Sequence, residues 1–193
     1  MLADRQLLER ALAVLGSVLR ARGLEYEIVV VGGSAMLLRD LVPRVTPDVD
    51  IIAMVRSGRY VPPRLPNELL DAVADVGTNL GIGEDWLDSG PGDMLSGGLP
   101  PGFDERTKRF DYGGLVVHVA DRVDLVSLKL FAVLDKGMSS KHFQDLKALD
   151  PSLQELTVAI EWLRRRYEGE DWPEKVEAVL LALGVEDADG SLL

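Results

Sequence analysis

Apolar positions recur along this chain at two different periods. Leu8, Leu12, Leu15 and Leu19 are spaced by three and four, which places them on one face of a helix over residues 4–22. Asp4 is positioned to cap its start and Gly23 to end it. Residues 26–31, YEIVVV, are apolar without alternation, as in a strand covered on both faces. Gly32-Gly33 reads as a turn, residues 34–41 as a short helix before Pro43, and residues 49–55 as a second strand. Over residues 65–80 the helical period returns through Leu65, Leu69, Leu70, Val73 and Val76. The pattern then fails. Residues 81–112 are rich in glycine and proline and read as a loop without regular structure. A loop of that length is uncommon inside a compact domain and is often functional. Residues 114–120, GLVVHVA, form a third predicted strand, followed by helices over 121–136, 140–149, 152–168 and 173–183. The tail EDADGSLL is expected to fray.

This order predicts an α/β (α+β) fold, with a small mixed sheet flanked by helices and a helical C-terminal part. The expected division is an α/β domain over 1–120 and a helical part over 121–193 packed on it.

Composition narrows the chemistry. Apolar residues make up 47% of the 193 positions, enough for a sizeable core. With no cysteine there is no disulfide, thiolate-ligated zinc or thiol nucleophile. The formal charge of −11 disfavours broad electrostatic binding of nucleic acid, so no DNA partner is expected. A local cluster such as Arg164, Arg165 and Arg166 would offset this for RNA. The first residues mix Asp4, Arg5, Glu9 and Arg10 with leucines, unlike a signal peptide. No apolar run approaches the roughly 20 residues of a membrane span. A cytoplasmic protein is expected.

Charged residues in apolar runs carry the functional signal. Asp48 and Asp50 are two apart in a predicted strand, so both side chains fall on one face. Two carboxylates so close repel each other unless a cation lies between them, and hard oxygen ligands suit Mg²⁺ or Mn²⁺. Upstream, Gly32 and Gly33 let backbone approach a ligand closely, and a helix starting at Ser34 offers free N–H groups to phosphate. Each feature alone is common, a tight turn or a strand-start aspartate. Together they supply the phosphate cradle and metal pair that phosphoryl transfer requires. Lys129 sits on the apolar stripe of its helix, either snorkelling to the surface or held near an anionic ligand or the aspartate pair. Lys141 and Asp145, four apart, read as an exposed ion pair. His118 lies in the third strand, where a lone histidine is more often a core residue than a catalyst.

The stretches GGSAMLLRDLVPRVTPDVDII, DLVSLKLFAVLDKGMSSKHFQDLKAL and DPSLQELTVAIEWLR resemble the nucleotidyltransferase superfamily. More narrowly they are similar to the bacterial nucleotidyltransferase-like family DUF6036, distantly related to the AbiEii and MenT toxins of toxin–antitoxin systems. The resemblance spans roughly residues 28–165. It implies a metal role for Asp48 and Asp50 and a phosphate role for the Gly32, Gly33 and Ser34 turn. It further implies that Arg44 and Thr46 lead into the aspartate pair, and that Lys129 and Asp145 belong to the active site. The implied substrate is a nucleoside triphosphate, with Mg²⁺ or Mn²⁺ as cofactor. The implied acceptor is a hydroxyl of RNA or protein, and an antitoxin is an implied partner. The superfamily's third carboxylate has no counterpart within the strand LVVHVA. His118 and Asp121 are the residues at that position, and a silent binding or interaction module is the alternative function.

Overall fold

The computed structural model describes residues 2, 4–43, 45–166 and 171–185. The tail predicted to fray and Arg44 lie outside them. The chain divides into two compact units, residues 1–99 with 103–121, and residues 100–102 with 122–193.

The first unit is a mixed sheet flanked by helices. In chain order it contains α1 (Arg5–Ala21), β1 (Tyr26–Val31), α2 (Gly32–Leu38), β2 (Val49–Arg56), β3 (Arg59–Val61), α3 (Asn67–Leu80), β4 (Leu87–Asp88), α4 (Phe103–Arg106), β5 (Lys108–Asp111) and β6 (Leu115–Val119). Asp4 caps α1 by accepting the Leu7 N–H at 2.8 Å, and Leu8, Leu12, Leu15 and Leu19 are fully buried. The strand order is β3-β2-β1-β6-β5, with β4 beside β2. Strand β1 runs parallel to β6 and antiparallel to β2.

A bulge controls which way β2 presents its residues. Ile28 pairs with Met54 and Val29 with Ala53, but Val30 pairs with Ile51 and Val31 with Asp50. One extra residue in β2, Ile52, reverses the parity of everything before it. Asp50 therefore shares the face of Val31 and Val29. Without the bulge it would share the face of Met54.

The region 81–112 is not the structureless loop expected from its composition. It contains β4, a 3-10 segment over Gly90–Gly97, α4 and β5. Strand β4 is two residues long and β5 is an exposed edge strand, so neither shows the alternation by which strands are recognised. Strand β3 escaped for the same reason. It closes a hairpin through Ser57 and Gly58, both at positive φ (51° and 70°), as a two-residue turn of the primed type requires.

Trp86 seats β4. Its side chain is 1% exposed and its indole N–H donates to the Val73 carbonyl of α3 at 2.9 Å. The Val49 N–H then donates to the Trp86 carbonyl at 2.7 Å, joining β4 to the start of β2.

The second unit is helical: α5 (Arg122–Lys136), α6 (Lys141–Leu149), α7 (Leu153–Arg166) and α8 (Trp172–Ala182). Arg122 ties its elements together, donating to Glu155 at 2.7 Å and to the Leu149 carbonyl at 2.6 Å. Arg166 lies 4.7 Å from the Phe131 ring centre and 5.1 Å from that of Trp162. Burial lowers its pKa from the ordinary arginine value. Its guanidinium is thus stacked on two rings within the unit. No described helix is long and apolar enough to cross a membrane.

Replacing Trp86 by Phe keeps most of the apolar volume but removes the indole donor. The expected cost is about 1 kcal/mol for the hydrogen bond, read as a lower urea midpoint at constant m-value.

Candidate metal and nucleotide site

The register of β2 assembles the site. Asp50 lies opposite Val31 on one side and opposite Asp88 of β4 on the other. Asp48 is two residues before Asp50. The carboxylate oxygens of Asp48, Asp50 and Asp88 all come within 4.8 Å of one another, with Asp48 and Asp50 half-buried and Asp88 exposed. At that spacing each pair of full charges repels by on the order of 3 kcal/mol at intermediate screening.

The donor set fits a hard divalent cation. Oxygens around Mg²⁺ sit at about 2.1 Å from the ion, so two of them are roughly 3–4 Å apart. A contraction of about 1–2 Å would bring the three carboxylates onto one ion. Their positions at a strand start, a strand interior and a neighbouring short strand leave that movement open.

The glycine turn and the aspartate pair are one structural unit. Gly32 has φ +69° and begins α2, and a Cβ added there would lie 1.7 Å from Asp50 Oδ2 and 2.6 Å from its Cγ. The Asp50 carboxylate thus occupies the space of a side chain at position 32. Both the backbone angle and this close approach require glycine.

Other residues of the motif support the turn from inside. Ser34 is fully buried and its hydroxyl donates to the Val31 carbonyl at 3.2 Å, so the side chain faces inward. Gly33 is buried beside it. Thr46 is 2% exposed and its hydroxyl donates to the Asp48 carbonyl at 3.1 Å. Its backbone exchanges two hydrogen bonds with Leu2, at 2.9 and 3.1 Å. Thr46 holds the chain entering β2 in place.

The third-strand residues lie elsewhere. His118 pairs across β6 and β1 with Val29, on the Asp50 face. Strand β1 lies between β6 and β2, so His118 is two strand spacings from Asp50, about 10 Å across the sheet, and two residues, about 7 Å, along it. Its Nε2 lies 3.3 Å from Glu27 Oε2. Asp121 accepts from Arg39 at 2.6 Å, and Arg39 also donates to the Ala120 and Arg106 carbonyls at 3.0 and 3.1 Å. Asp121 thus forms part of a clamp on α2, β6 and α4. The third carboxylate near Asp48 and Asp50 is Asp88, from the stretch that read as loop. Its sequence signal was slight: an apolar pair, Trp86-Leu87, before the acid in a glycine-rich region.

In the second unit Lys129 and Asp145 meet. The ammonium lies 2.5 Å from Asp145 Oδ2, with the residues 6% and 4% exposed. Two expectations are corrected. Lys129 does not snorkel to the surface, because Asp145 on α6 supplies a buried counter-charge. Asp145 is not half of an exposed pair with Lys141, because its position on α6 turns it into the core.

The model of the family described as nucleotidyltransferase of unknown function (DUF6036) matches residues 8–148, and the chain belongs to that family. Searches of curated proteins and of solved structures each returned no significant match.

Gly32→Ala is expected to lower stability by about 1–2 kcal/mol for the left-handed backbone alone. Displacement of Asp50 should weaken Mn²⁺ binding at least about tenfold, or 1.4 kcal/mol. Thermal melts and Mn²⁺ titration read the two effects. Lys129→Met leaves a buried carboxylate without its counter-charge and should cost about 3–5 kcal/mol. Adding Asp145→Leu should recover most of that loss in urea unfolding.

Proposed function

We propose that this protein is a metal-dependent nucleotidyltransferase. It takes a nucleoside triphosphate and moves the nucleoside monophosphate to a hydroxyl of RNA or protein. The observation that carries this reading is the convergence of Asp48, Asp50 and Asp88 beside the Gly32 turn, in a chain whose family bears that description.

A bound Mg²⁺ or Mn²⁺ would supply positive charge to the triphosphate oxygens. Asp48, Asp50 and Asp88 are the residues that would hold it. Gly32 leaves room for the Asp50 carboxylate at the turn, beside which phosphate would approach. In the transfer a bond forms from the acceptor oxygen to the α-phosphorus. The bond from that phosphorus to its bridging oxygen breaks, and pyrophosphate leaves. The hydroxyl proton passes to a carboxylate of the site.

Lys129 and Asp145 are assigned to the reaction by the family resemblance. A toxin acting in the cytoplasm and restrained by an antitoxin is the biological setting that the resemblance suggests. The alternative, a silent nucleotide-binding or interaction module, drew on the lack of an acid in β6. Asp88 places an acid beside Asp48 and Asp50 from β4, which favours the enzyme reading.

The test supplies each of the four α-labelled triphosphates with total RNA or lysate protein, under Mg²⁺ or Mn²⁺. Label should pass to the acceptor with at least one nucleotide, and Asp50→Asn should abolish the transfer. Absence of transfer under every combination would contradict the reading.

A further inference from the structure

Asp88 is engaged on two sides at once. Its carboxylate belongs to the acidic triad, and its Oδ1 accepts the Gly90 N–H at 2.8 Å. The three acids differ in how firmly they are held. Asp48 and Asp50 are half-buried, and Asp50 lies within the eight-residue β2. Asp88 is exposed and ends a two-residue strand. When repulsion among the three is not offset by a cation, Asp88 is the one whose displacement disturbs least.

Gly90 opens the 3-10 segment Gly90–Gly97, and none of that segment's residues is buried. The segment nevertheless packs against β2. Gly92 sits so close to the Pro63 ring that an added Cβ would lie 2.4 Å from its carbons. A backbone stretch with no buried side chain belongs to the least stable part of a fold. The Asp88–Gly90 bond stands at its entry.

We infer that Gly90–Gly97 is a strap whose order is set by cation occupancy of the carboxylate triad, transmitted through the Asp88–Gly90 hydrogen bond. The inference rests on reading the triad as a divalent-cation site. With a cation bound, Asp88 is fixed and its Oδ1 holds the Gly90 amide. Without one, repulsion moves Asp88, the bond at Gly90 is lost for part of the time, and the strap loosens. The strap therefore closes against β2 when the metal arrives.

Two substitutions separate charge from hydrogen bonding. Asp88→Asn keeps an oxygen that accepts the Gly90 N–H and removes the negative charge. Asp88→Ala removes both. Amide hydrogen exchange over residues 88–98 is measured on the wild type and both variants, without metal and with saturating Mn²⁺. Mn²⁺ bound to each sample is read by electron paramagnetic resonance. In the wild type, Mn²⁺ should raise protection of the strap amides by roughly fivefold or more, as expected for closing a local opening. In Asp88→Asn the strap should be protected with and without Mn²⁺, and in Asp88→Ala in neither case. Amides of β1 should be unchanged in all samples, which marks a folded protein. Mn²⁺ bound by the wild type with no change in strap protection would overturn the coupling and leave the metal site standing. A metal response in Asp88→Asn equal to that of the wild type would also overturn it. Failure of the wild type to bind Mn²⁺ would overturn both.

Discussion

Repulsion among three carboxylates, held within 4.8 Å of one another, is the constraint on which the site's construction turns. Negative charges at this spacing persist only where the surrounding backbone fixes them or a cation joins them. Here the backbone does much of the fixing. The bulge at Ile52 directs Asp50 to the face it occupies, Gly32 leaves room for its carboxylate, and the Trp86 anchor brings Asp88 alongside. These devices come from three separated stretches of chain. Together they bring three like charges beside one another.

The main elements were legible because they are long and periodic. The helix beginning at Arg5, the buried strand at Tyr26 and the helices from Arg122 onward show clear patterns over ten residues or as unbroken apolar runs. Asp48 and Asp50 were legible because a strand alternates and a carboxylate among valines and isoleucines is unusual. Asp88 was not, for the opposite reason. A two-residue strand has no period, and its place is set by an indole thirteen residues from the carbonyl it contacts. The bulge was equally hidden, since one extra residue in β2 leaves the apolar run looking the same. Read by parity alone, Asp50 falls on the wrong face of the sheet.

Lys129 shows a different limit. The helical stripe placed it correctly on an apolar face, but the sequence could not say what met it there. Asp145 is sixteen residues away on another helix, and an i,i+4 partner at Lys141 offered a simpler local explanation. Tertiary packing overrode that local pairing by burying Asp145, and a buried carboxylate needs a buried counter-charge. Thr46 and Ser34 fit the same pattern. Both stand in the motif as polar residues, and both use their hydroxyls on the backbone of the turn and strand they belong to.

The central claim is that Asp48, Asp50 and Asp88 form one divalent-cation site. Crystals of the protein grown with Mn²⁺ test it most directly through anomalous diffraction at the manganese edge. The account predicts an anomalous peak with carboxylate oxygens of all three aspartates at about 2.0–2.4 Å, the range of hard-cation bonds. No peak among the three aspartates, or one coordinated without Asp88, would contradict it.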